Sequence, residues 1–123
     1  MRLMTILAAG FLSLAPALGL AETRLLMAEQ PGCAWCERWD REVSAIYPKT
    51  PEGEAAPLER FDKTEGTPDG VTLARKIAFT PTFVLVRDGV EIDRMEGYPG
   101  EDFFWGLLGM MLDRAQIDYK KAG

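Results

Sequence analysis

"TRLLMAEQPGCAWCERWDREVSAIYP", Thr23 to Pro48, holds the only two cysteines of this 123-residue chain, Cys33 and Cys36. The stretch Thr23 to Gln30 has a short apolar centre at Leu25, Leu26 and Met27 and runs into Pro31-Gly32, the pattern of a buried strand entering a turn. From Cys33 onward the period changes. Cys36, Trp39, Val43 and Ile46 or Tyr47 recur at three- and four-residue spacing, while Glu37, Arg38, Asp40, Arg41 and Glu42 fill the other side. That is an amphipathic helix, stopped by Pro48. Glu37–Arg41 and Arg38–Glu42 are i,i+4 pairs that support its wet face.

A strand, a tight turn and a helix in succession put Cys33 at the helix N-terminus and Cys36 inside the first turn. Unpaired backbone N–H groups and the positive end of the helix dipole favour a thiolate at Cys33. Helix N-termini with this spacing lower a cysteine pKa to about 3.5–7.5, and the thiolate is the nucleophile of disulfide exchange. Cys33 is then the attacking thiol and Cys36 the resolving one, which breaks the mixed disulfide and releases product. Two other chemistries fit the same spacing. A structural bridge closing so short a loop yields about 2 kcal/mol, against about 3 for fifteen residues. A Cu(I) clamp is the other, with thiolates joined by methionine thioethers, as in a CxxC metallochaperone.

Outside this stretch, Met1-Arg2 precedes an uncharged apolar run, Leu3 to Ala21, with small residues at Gly19 and Ala21. This reads as a signal peptide over 1–21, with an uncleaved membrane anchor as the alternative. Residues 22–123 are left as one exported domain with a modest core. The net charge is −5, acidic and basic residues are interspersed, and no Lys/Arg run tracks phosphates, which argues against nucleic-acid binding. There is no histidine, which excludes Ser-His-Asp and Cys-His catalysis and imidazole zinc sites.

Lys49 to Pro57 reads as a loop, Leu58 to Asp62 as a strand, and 63–70 as a second loop. "VTLARKIAF", 71–79, reads as a short helix with Leu73, Ile77 and Ala74 inward. After Thr80-Pro81, two β-rich runs flank Asp88-Gly89, a pair that closes hairpins. The last helix places Phe103, Phe104, Leu107, Leu108, Met111, Leu112 and Ala115 on one broad stripe, with Asp102, Gly106 and Asp113 outward. The order is β-α-β-α-β-β-α, with the first two strands parallel and the last two an antiparallel hairpin.

With the CxxC at a helix start and "TPT" at Thr80-Pro81-Thr82 opening a hairpin strand, the chain resembles the thioredoxin-like superfamily. The strings "EQPGCAWCERWD" and "GYPGEDFFWGLL" are more specifically similar to SoxS-type periplasmic thioredoxins associated with bacterial sulfur oxidation. The resemblance implies an α/β fold with a minimal four-stranded mixed sheet flanked by helices. It implies that Pro81 is a cis-proline against the cysteines, that Thr80 offers its backbone to an extended substrate, and that Gly97 flanks the same groove. Trp35, between the cysteines, is expected on the partner-binding face.

The buried carboxylate of the family falls near Met27, which moves no protons. Glu29, two residues on, is the candidate substitute, against its plain reading as a surface carboxylate. The implied activity is thiol–disulfide exchange in the periplasm by a monomer, with no cofactor or metal beyond the redox-active Cys33–Cys36 disulfide. The implied partners are a protein disulfide or mixed-disulfide substrate, such as a sulfur-carrier protein with an essential cysteine, and a membrane electron transporter as reductant source. A reductant is the expected direction, with a general disulfide oxidase or isomerase as the alternative.

Overall fold

The computed structural model describes residues 21–119 together with 9, 10 and 12, so the signal-peptide reading of 1–21 lies almost wholly outside the described residues. Strand β1, Thr23–Glu29, leads to helix α1, Ala34–Trp39, which widens into a π-type turn over Asp40–Ser44. A 3₁₀ turn at Tyr47–Lys49, helix α2 at Pro51–Ala55 and strand β2 at Leu58–Asp62 follow. The chain closes with the hairpin β3, Thr82–Arg87, and β4, Val90–Glu96, and with helix α3, Glu101–Arg114.

The four strands form one mixed sheet in the order β2-β1-β3-β4. β1 runs parallel to β2, with Leu25 opposite Leu58, and antiparallel to β3, with Ala28 opposite Thr82. The β3–β4 hairpin turns at Asp88 and Gly89, both at positive φ, as the sequence predicts. β1 is central and covered on both faces, so its four consecutive residues Leu25–Ala28 are buried and its sequence shows no alternation. Leu25, Met27, Phe83 and Leu85 face Trp39, Val43, Tyr47, Phe104, Leu108 and Met111. Leu26, Val84 and Val86 face the other way, against Phe61, Val71, Leu73 and Ile77.

That second face corrects one expectation. Residues 71–79 form no helix. They run as an irregular strap, several of whose backbone groups are bonded by β4 and the turn before it. The Thr72 N–H donates to the Gly89 carbonyl at 2.8 Å, and the Glu91 N–H donates to the Thr72 carbonyl at 3.0 Å. The Arg94 guanidinium donates to the carbonyls of Arg75 and Lys76, and the Glu91 carboxylate accepts the Ala74 N–H. Burial works against the Glu91 charge, but Arg94 and the Ala74 N–H outweigh it and hold the carboxyl below its ordinary pKa. The pair's contribution is therefore full above the ordinary carboxylate range and is lost as pH falls through the lower folded value.

Three smaller differences concern local geometry and packing. The helix after Cys33 is not uniform. A four-residue step overshoots an α-turn by about 40°, and the widened turn at 40–44 takes that drift back, so Trp39, Val43 and Tyr47 all stay inward while Ile46 is exposed. On α3 the buried stripe is narrower than expected: Phe104, Leu108, Met111 and Leu112 are inward, Leu107 is partly open and Phe103 is 70% exposed.

The third difference is α2, where a loop was expected. Thr50 caps it by accepting the Gly53 N–H at 3.0 Å, and Pro51 occupies the first helical position. The turn packs so tightly that a Cβ on Gly53 would lie 1.8 Å from the Tyr47 carbonyl oxygen. Tyr47 is itself fixed, its buried hydroxyl donating to the Ala56 carbonyl at 2.6 Å. Gly53→Ala is expected to destabilise the fold by about 3 kcal/mol, the upper end for overpacking. Urea unfolding measures it, and a loss under about 0.5 kcal/mol, typical of a surface change, contradicts the packing described.

Candidate active site

The end of β1 fixes where the cysteines sit. After Glu29 the chain turns at Pro31-Gly32, with Gly32 at φ +76°. Cys33 is the N-cap of α1 in extended conformation, and its Sγ accepts the Cys36 backbone N–H at 3.1 Å. The two sulfurs are bonded, with Cα atoms 5.2 Å apart, and the residues are 9% and 5% exposed. Once reduced, the N–H donor that now faces Cys33 Sγ would face its thiolate, a charge-assisted hydrogen bond. The expected helix-start placement of both cysteines is what the structure has.

The sheet topology brings further residues to the same end. β3 starts where β1 finishes, since Thr82 pairs with Ala28, and β4 finishes there too, since Thr82 also pairs with Glu96. The Thr80–Pro81 peptide bond just before β3 is cis, and Pro81 is buried. Gly97, just after β4, stands at φ +84° and its N–H donates to the Pro81 carbonyl at 2.7 Å. Thr82 is fully buried, and its hydroxyl donates to the Phe79 carbonyl at 2.6 Å, tying down the two residues between them. Thr80, Pro81 and Gly97 are thus joined beside the disulfide end of the sheet.

Trp35 is half exposed. The Arg38 guanidinium lies 5.5 Å over its ring and donates from Nε to Glu42 at 2.6 Å. Arg38 is therefore drawn along the helix rather than back to Cys33. Glu29 ends β1 on the Met27 face, and its carboxylate takes Arg60, which also bridges to Asp40 at 2.7 Å. Arg60 stays charged chiefly through Asp40, against partial burial, with Glu29 adding to it. Met27 is fully buried and carries only a thioether.

Sequence reasoning did not single out two residues that flank the Pro81 and Gly97 segments. Phe79 is largely exposed two residues before the cis-proline, and its signal is an apolar residue directly before the Thr-Pro-Thr string. Tyr98 follows Gly97 and is buried in one cluster with Cys33, Cys36 and Phe104. Its hydroxyl is held protonated above the ordinary value, first by burial and then by the charges of Glu42 and Glu101. The arrangement is an almost buried disulfide with the half-exposed Trp35 between its cysteines, at the end of the sheet where Pro81 and Gly97 are joined. Among the described residues no group of three or more His, Cys, Asp or Glu could hold a metal ion, and Met27 and Met95 are core residues of β1 and β4.

Among solved structures, the reduced form of the periplasmic thioredoxin SoxS from Paracoccus pantotrophus is 54% identical to this chain. It superposes with a TM-score of 0.75 over 76% of this chain and 99% of that one. A thioredoxin from Fasciola hepatica is 20% identical, with a TM-score of 0.48 over 72% of this chain and 80% of that one. No family model and no curated protein matches the chain.

Proposed function

The chain belongs to the thioredoxin-like family of thiol–disulfide oxidoreductases, and from that premise we propose that it is a periplasmic reductant keeping a partner protein's cysteine reduced. In the forward reaction the Cys33 thiolate attacks one sulfur of the substrate disulfide, and the other substrate sulfur leaves as a thiolate that takes a proton. Cys36, deprotonated, attacks Cys33 Sγ, and the second substrate sulfur departs. The protein's dithiol becomes the Cys33–Cys36 disulfide while one substrate disulfide becomes two thiols.

The observation that carries this reading is Cys33 as the N-cap of α1, its sulfur accepting the Cys36 N–H. Docking is assigned to the Thr80 backbone, Pro81, Gly97 and the half-exposed Trp35. Glu29 is the proposed proton acceptor for Cys36, as the one carboxylate within β1. Export on the 1–21 leader, action as a monomer, and re-reduction by a membrane electron transporter belong to the same proposal. A sulfur-carrier protein as substrate rests on the likeness to the SoxS relative.

The direction follows from charge. Strong oxidants of this kind stabilise their reduced form by holding the thiolate tightly. Here Ala34-Trp35 supplies no cation, the chain has no histidine, Glu37 lies in the first turn, and Arg38 is engaged by Glu42. What remains is the helix terminus with its Cys36 N–H, and a helix dipole contributes about 0.3–1 kcal/mol when exposed and up to about 2 when partly buried.

Two measurements test the proposal. Cys36→Ser is expected to trap mixed disulfides through Cys33 in a periplasmic extract, and Cys33→Ser to trap none. Wild-type exchange by both variants would sink the assignment, and recovery of many unrelated secreted proteins would point to a general disulfide enzyme. A glutathione redox titration is expected to give a potential nearer to about −270 mV than to the strong-oxidant value of about −120 mV. A result at the oxidant end overturns the reductant direction and leaves the roles of the cysteines standing.

A further inference from the structure

The Glu91–Arg94 pair on β4 has side chains only 5% and 4% exposed, 2.6 Å apart at their closest. Arg94 lies opposite Val84 in the hairpin register, and Val84 belongs to the sheet face that the 71–79 strap covers. All three nitrogens of the Arg94 guanidinium are engaged, Nη1 also lying 3.7 Å from the Glu96 carboxylate. Nε donates to one Glu91 oxygen at 2.8 Å and Nη2 to the other. Nη2 also donates to the Arg75 carbonyl at 2.9 Å, and Nη1 to the Lys76 carbonyl at 3.3 Å. Glu91 in turn accepts the Ala74 N–H at 3.0 Å. Three consecutive strap residues are therefore held by one ion pair, and three residues beyond Lys76 the strap becomes Phe79-Thr80-Pro81.

Stability alone is a poor reason for such a pair. Buried ion pairs are often replaced by apolar side chains of similar volume with no loss of stability, because desolvation offsets the attraction. Apolar side chains would still pack beside Leu73 and Ile77, but they would leave the Arg75 and Lys76 carbonyls without these donors. What the pair adds is position. The strap has no helix to fix its own backbone, so Arg94 and Glu91 hold it at 74–76, upstream of the Thr82–Phe79 bond that ties down Thr80.

We propose that Glu91 and Arg94 are positioning residues for protein-substrate docking, holding the strap so that Thr80 presents its backbone beside the cysteines. This rests on the reading of Thr80 and Pro81 as the docking segment. The pair touches neither substrate nor sulfur, so a small disulfide that needs no docking segment is insensitive to it, whereas a polypeptide disulfide is not.

The test uses the protein carrying Glu91→Met with Arg94→Met, Arg94→Lys alone as a second variant, and Pro81→Ala as the control on docking. Insulin is the polypeptide disulfide and 2-hydroxyethyl disulfide the small one. In the double variant, KM for insulin is expected to rise about five-fold, the worth of one ordinary hydrogen bond. Its kcat with 2-hydroxyethyl disulfide is expected to stay unchanged, and amides 77–80 to exchange faster. Arg94→Lys, which keeps the charge and loses the fork, is expected to show the same split more weakly, and it carries the test if the double variant does not fold. An unchanged insulin KM in these variants, with a raised one in Pro81→Ala, overturns the positioning role alone. An unchanged KM in Pro81→Ala as well removes the docking reading, and the positioning role with it.

Discussion

The Cys33 sulfur accepting the Cys36 N–H at 3.1 Å is the contact on which the rest of this structure depends. It exists because the Pro31-Gly32 turn follows β1 and the next residue caps α1 with the side chain proposed as the reactive group. A serine or aspartate in the same place would be an ordinary helix cap. A cysteine there turns a structural device into a chemical one. The backbone donor at the helix start faces the sulfur proposed as the nucleophile, and i,i+3 spacing places the second sulfur within bonding distance of the first.

Around that contact the sheet works as a collector. A central β1, parallel to β2 and antiparallel to β3, brings three chain ends to one edge: the exit of β1, the entry of β3 and the exit of β4. Pro81 and Gly97 meet there through a backbone hydrogen bond although sixteen residues separate them in the chain. Core packing supports the edge from below. Trp39 sits among Tyr47, Phe83 and Phe104 at ring separations of 5.4–6.3 Å, which fixes α1 against the sheet and hence fixes Cys36, one turn back.

Much of this was legible from local pattern. β1, the turn, the cysteine-bearing helix and the Asp88-Gly89 hairpin each carry a signal within a few residues. So does α2, where Thr50-Pro51 followed by Glu52 is a helix start that its Gly and Pro content disguised as a loop. The strap at 71–79 was not legible in the same way. Its apolar residues do recur at helical spacing, but its backbone partners are carbonyl-to-guanidinium bonds spanning 18 and 19 residues, and no local pattern reports those. The α3 stripe shows a related limit, since Phe103 and Phe104 are equally apolar and only the sheet's position decides that Phe104 is the buried one.

On the reading proposed here, helix-start geometry makes Cys33, and not Cys36, the reactive thiolate. Iodoacetamide alkylation of the reduced protein across pH, with the modified residue mapped, tests that claim most directly. Cys33 is expected to be alkylated first, with a midpoint inside the range of about 3.5–7.5 found for cysteines in such positions. Equal labelling of Cys33 and Cys36, with a midpoint near the free-thiol value of about 8.5, would contradict it.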